Sequence, residues 1–181
     1  MPKLRVQRIL WAAMLSTVVI YAFLAWFVAS PQAAERGVEA EPMLAIALAV
    51  AAVGSTVASF LLPRHFMKQI LDRQQPAIEE IPDPHAQDVM FRDQVPKTSV
   101  LTNGGALLRE MIPKWQTGFI LSLALSESVA IYGLVLAFVG HPPKVWAFFM
   151  VVGAVLLAIR FPSEARLRAQ IERHHGAPFA A

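Results

Sequence analysis

One carboxylate in this chain sits where carboxylates are expensive. Glu127 lies near the middle of an apolar run from about Thr117 to Gly140, between Ser126 and Ser128 and shortly before Tyr132. Placing an ionised acid at the centre of a membrane helix costs on the order of 2.5–3.5 kcal/mol on insertion scales. The neutral, protonated carboxyl is the form such a site tolerates, and that form both donates and accepts a hydrogen bond. Ser122, Ser126, Ser128, Tyr132 or a facing helix are the partners within expected reach. No Lys or Arg lies at that depth in another apolar run, so no ion pair is expected. Two chemistries remain open. Glu127 is a reversible proton or cation site, or it is a neutral hydrogen bonder that holds helices together.

Other chemistry finds little support. There is no cysteine, which removes disulfides, thiolate metal sites and a thiol nucleophile. His65, His85, His141, His174 and His175 fall in loops, near helix ends or in the tail, so no haem-binding pair faces across a bundle. Glu79, Glu80, Asp83, His85 and Asp88 form an acidic stretch without the rigid spacing of a cation loop, and it reads as solvated surface. The pair His174-His175 reads as a solvated tail. Ser126 and Ser128 lack a base at their depth, so nucleophilic catalysis is not expected. The chain is expected to be no enzyme and to hold no cofactor or metal.

The elements that must position Glu127 follow from hydropathy. Charged residues make up 16% of the 181, well under the roughly 25% of soluble domains, and they cluster between apolar runs. Four runs approach the length needed for about 30 Å of hydrocarbon: about Ile9 to Ala29, Met43 to Leu62, Thr117 to Gly140 and Val145 to Ile159. The last is short, and Lys144 and Arg160 can extend it by reaching outward. Trp11 and Trp26 mark the ends of the first run, with Tyr21 between them.

Basic residues alternate between sides. Lys3, Arg5 and Arg8 precede the first run, while the next connection sets Arg36 against Glu35, Glu39 and Glu41. The long middle connection carries Arg64, Lys68, Arg73, Arg92, Lys97, Arg109 and Lys114. Only Lys144 separates the last two runs, and Arg160, Arg166, Arg168 and Arg173 follow them. The positive-inside rule then puts both termini in the cytoplasm. It also accounts for the net charge of +3, so nucleic acid is not an expected partner. Small residues from Ala29 to Ala34 resemble a signal cleavage site, but the preceding apolar run is longer than a signal core.

The run Leu121-Ser-Leu-Ala-Leu-Ser-Glu127-Ser-Val-Ala-Ile-Tyr132-Gly133-Leu-Val-Leu-Ala137 resembles the second helix of the F-type ATP synthase proteolipid, subunit c. That resemblance implies that Glu127 is the proton-binding carboxylate and Tyr132 its neighbour in the motif. Alternating Ala45, Ala47, Ala49 and Ala51 are similar to the small-residue repeat of the proteolipid's first helix, and Arg73-Gln-Gln-Pro76 to its polar loop with one residue added. The connection here is several-fold longer than in that hairpin, and further helices flank it on both sides.

The expected fold is all-α, a polytopic bundle of about four transmembrane helices. Residues 1–63 hold the first two helices, 64–115 a cytoplasmic loop, 116–161 the third and fourth helices, and 162–181 an amphipathic tail. The second helix is expected either to continue beyond the membrane past His65 or to turn along its surface, and Pro76, Pro82 and Pro84 to break regular structure after it. A turn is expected at Asn103-Gly104-Gly105 and a short helix over 106–111. Beyond Pro162-Ser163, Leu167 and Ile171 predict a short helix lying on the membrane surface. Ser126, Ser128 and Tyr132 join Glu127 as candidate proton-site residues; Ala45, Ala47, Ala49, Ala51, Gly54 and Gly133 are candidate helix-packing positions. The expected partners are lipid and other membrane subunits, in a homo- or hetero-oligomer. The expected location is the plasma (inner) membrane of a bacterium.

Overall fold

The computed structural model of the chain describes residues 4–35, 41–73, 76–82, 97–102 and 104–179. The chain is mostly helical. Helix α1 (Arg5–Leu24) passes through a π-turn (Ala25–Ala29) into α2 (Ser30–Glu35), and α3 spans Pro42–Asp72. Helices α4 (Gly104–Phe138), α5 (Pro143–Ala158) and α6 (Glu164–His175) follow the middle segment. Pro42 and Pro143 open their helices, where a missing N–H costs nothing. Gly140, at φ 82°, takes the left-handed turn after α4 that side chains resist.

Among the described residues, three helical stretches are long and apolar enough to cross a membrane: Arg5–Ala29, α3 and α4. Helix α5 is apolar too, but its 16 residues reach only about 24 Å. Val19, Phe23, Val50, Val53, Phe148 and Val151 each expose more than half of their surface. Such a belt would be costly in water and is unremarkable in lipid.

Contacts along the helices set their directions. Helix α1 runs parallel to α4, because Gln7 meets Gln116 and Thr17 meets Glu127. Helix α3 runs antiparallel to α4, since Ser55 meets Tyr132 and Pro63 packs on Gly118. Helix α5 also opposes α4: a Cβ on Gly133 would fall 2.7 Å from the Trp146 carbonyl oxygen, and one on Gly153 would fall 2.9 Å from Ala130. Helix α4 is therefore the shared wall of the bundle, touched by all the others. The two glycines let α4 and α5 approach to backbone contact.

Proline inside α3 creates a polar problem that α5 solves. Pro63 has no N–H for the carbonyl of Ser59, one turn earlier. The Arg160 guanidinium, just beyond α5, donates to that carbonyl at 2.8 Å and to the Ser59 hydroxyl at 2.7 Å. It also stacks over the Phe60 ring at 4.5 Å. Helix α3 consequently continues to Asp72, the first of the two courses expected for the second helix.

Beyond the apolar spans the structure departs from the sequence reading. Ile78–Pro82 (β1) pairs antiparallel with Lys97–Leu101 (β2), where an irregular acidic segment was expected. Thr98 and Val100 are β-branched and favour a strand, and Pro82 stands at the strand's end, where it disturbs pairing least. Asp83, Pro84, His85, Asp88 and Arg92 lie outside the described residues, as do Lys3, Arg36, Glu39, Gln74, Gln75 and Asn103. The separate short helix expected over 106–111 is instead the first part of α4, which begins at Gly104 and carries Pro113 within it.

Helix α6 forms where expected, with Glu164–Arg168 paired at 3.3 Å and Gly176 ending it in the left-handed conformation. Its apolar face does not await lipid. Leu167 and Ile171 are buried against Met67, Leu71, Leu101, Leu107, Leu108 and Met111. The Phe179 segment closes this second core by pairing beside Leu101. A small packed unit thus stands outside the spans, where none was anticipated.

Gly153→Ala should lower stability by about 1–3 kcal/mol, the usual cost of overpacking. Gly54→Ala, whose Cβ would meet nothing within 4 Å, should be neutral or stabilising. Thermal unfolding in detergent checks both. A second expectation concerns His175, held below its ordinary 6.5 by burial and then by the neighbouring His174 charge. The unfolded chain takes up that proton first, so the stability it supports is complete above 6.5 and declines as pH falls below it. Amide protection in α6, corrected for the intrinsic pH dependence of exchange, should therefore fall as pH drops from about 6.5 to 5.5, and less so in His175→Gln.

Candidate functional site

Glu127 occupies the face of α4 that meets α1. Its Oε1 accepts a hydrogen bond from the Tyr21 hydroxyl at 3.1 Å and stands 2.5 Å from the Thr17 hydroxyl oxygen. Thr17 and Tyr21 are four residues apart on α1, so one helical face presents both. The carboxyl is half-buried, and no ion pair involves it among the described residues. The Thr17 hydroxyl also lies 2.7 Å from the Met14 carbonyl oxygen. A hydroxyl carries a single proton, so it cannot donate to both neighbours.

The partners expected from α4 itself are engaged elsewhere. Ser122 donates to the Phe119 carbonyl, Ser126 to Ser122 and Ser128 to Leu125, each within the preceding turn. Serines in a helix satisfy themselves this way when no better acceptor is at hand. Tyr132 reaches the other side of α4 and shares a hydrogen bond of 3.2 Å with Ser55 on α3. Five residues of helix turn it well away from Glu127, so the two are not members of one constellation. The expected facing helix is the one that supplies partners, and it is α1. Thr17 and Tyr21 were missed because a threonine and an interior tyrosine carry no charge to draw attention. Their four-residue spacing in an otherwise apolar run was the available signal.

The proposed packing positions divide. Gly133 lies against α5 at backbone distance. A Cβ on Gly54 would meet nothing within 4 Å, so among the described residues no other helix packs closely against it. The Ala repeat splits across α3, since a period of two cannot hold one helical face. Ala45 packs against the bundle core, whereas Ala47 and Ala49 are exposed. The buried alanine is Ala52, two helical turns after Ala45 on the same face.

Among the described residues no group of three His, Asp or Glu could hold a metal ion. His174 instead pairs with Asp72 at 3.2 Å. His141 is buried with its Nε2 unpartnered, just beyond the C-terminal end of α4, and makes no hydrogen bond with Glu127. Comparison with family models, with curated proteins and with solved structures gives no match.

The hydrogen bond between Thr17 and Glu127 should register as coupling between α1 and α4. In a double-mutant cycle of Thr17→Val with Glu127→Leu, about 0.6–1.7 kcal/mol is expected, the range measured for hydrogen bonds between membrane helices. Unfolding in detergent supplies the four free energies. A coupling of zero would mean that the bond is not made.

Proposed function

We propose that this chain is an integral membrane subunit whose Glu127 binds a proton reversibly between α1 and α4, within an ion-translocating assembly. The observation that carries the reading is the shortage of protons at Thr17. If Thr17 donates to Glu127, its oxygen faces the Met14 carbonyl at 2.7 Å with no hydrogen between them. If it donates to Met14, the 2.5 Å contact needs a hydrogen from the carboxyl. A protonated Glu127 satisfies the whole chain, donating to Thr17, which donates to Met14, while Tyr21 donates to the carboxyl. Losing that proton would unsettle the α1–α4 contact, which gives the site a way to couple protonation to helix position.

Placement in the membrane is part of the same proposal. Four crossings alternate in direction, with α1 and α4 running one way and α3 and α5 the other. The ends of the described chain then share a side with the basic connections, as cytoplasmic termini require. Lys144 at its start lets the short α5 span by reaching outward, while Arg160 beyond its end is turned onto Ser59 of α3. The proteolipid-like frame around Glu127 adds to the reading of a proton site.

A second reading has its own support. Both partners of Glu127 come from α1, a helix that a proteolipid hairpin lacks, so the carboxyl is covered by its own chain. On that reading protonated Glu127 only clamps two helices.

Titration separates them. A reversible site should react with a hydrophobic carbodiimide less and less as pH rises, because the protonated carboxyl is the reactive form. Glu127→Gln, which keeps a donor and an acceptor but cannot release a proton, should assemble normally and abolish proton flux in vesicles. Intact assembly with unchanged flux would sink the transport reading and leave the clamp.

A further inference from the structure

We propose that the cleft between α3, the start of α4 and the α5–α6 junction binds the phosphate of an anionic phospholipid headgroup. The cleft has a volume of about 300 Å³ and is lined by Arg64, Lys114, Arg160 and Arg166, with no acid among its described lining residues. Lys114 is neutralised nearby, since it pairs with Glu110 at 2.7 Å. The other charges are not offset. Arg160 donates only to the backbone and hydroxyl of Ser59, and Arg166 donates to the Ile159 carbonyl, all neutral acceptors. No ion pair involves Arg64 among the described residues.

The make-up of the lining selects the class of anion. Beside its cations the cleft is lined by the apolar Phe60, Phe119, Ile159 and Phe161 and by the polar Ser163 and Gln170. A free phosphate would use the charged and polar groups and leave the apolar ones bare, whereas a phospholipid uses both. Basic pockets between helices at the cytoplasmic boundary take lipid headgroups by this combination. The shape of the cleft has a local cause. Pro63 and Gly118 bring α3 and α4 together without side chains between them, and Arg160 is drawn to Ser59 beneath. The inference rests on the membrane placement and is independent of the role of Glu127.

The full-length chain, purified in detergent and exchanged into mixed phosphatidylglycerol and phosphatidylcholine, provides the test by native mass spectrometry. Retention of phosphatidylglycerol over phosphatidylcholine should be on the order of tenfold, and Arg64→Gln with Arg166→Gln should remove most of that preference. Arg64→Lys with Arg166→Lys should keep it. Lys68→Gln with Arg109→Gln, cations outside the cleft, should also keep it, as should Glu127→Gln. Equal retention of the two lipids, or a preference that survives loss of both arginines, would overturn the proposal. So would an equal drop in the Lys68 and Arg109 variant, which would assign the effect to general charge. Inorganic phosphate held by the cleft without any lipid preference would assign it to a soluble anion instead. Circular dichroism and gel-filtration elution establish that each variant is folded before it is compared.

Discussion

Polar groups inside an apolar surround must find partners within the protein, and most of the specific geometry in this chain answers that demand. Pro63 frees a carbonyl in α3, and Arg160 is the group that meets it. Glu127 brings an acid into α4, and Thr17 and Tyr21 are the groups that meet it. Trp11 finds the Leu157 carbonyl at 2.7 Å, where α5 is ending and that oxygen also accepts from the Arg160 N–H. Each solution ties two helices that are distant in the chain. Apolar contact alone would leave the helices free to slide and rotate, because lipid offers as much dispersion as a neighbouring leucine.

Helix α4 concentrates these ties. One face carries Glu127 toward α1, another carries Tyr132 toward α3, and Gly133 lies against α5. The serines of the same helix turn inward to their own backbone, which leaves the acid reliant on α1. On the proposed reading, a proton at Glu127 bears on the α1–α4 contact made through Thr17 and Tyr21. The Arg160 tie is different in kind, since its charge is permanent and its partners are neutral. It ties α3 to the end of α5, and among the described residues no carboxylate pairs with this cation.

The unit outside the spans follows another logic. Met67, Leu71, Leu107, Leu108 and Met111 extend α3 and α4 beyond the apolar runs, and α6 closes over them with Leu167 and Ile171. Ordinary hydrophobic burial holds this part together, as in a soluble domain. The strand pair and the Phe179 segment cover its edge. Because α3 and α4 run unbroken from one region into the other, movement of either helix in the spans would be felt in the outer unit.

Hydropathy and charge spacing were enough to read the apolar helices and the isolation of Glu127, because these depend on residues adjacent in the chain; they did not show that α4 begins as early as Gly104. The start of α6 at Ser163-Glu164 was legible for the same reason. Strand pairing between residues some twenty apart was not legible, nor was the burial of the α6 face against α3 and α4. The choice of α1 as the partner of Glu127, with Tyr132 turned to α3, also came only from the packed bundle. Local periodicity tells which face of a helix is apolar or polar; only assembly of the helices tells which neighbour that face will meet.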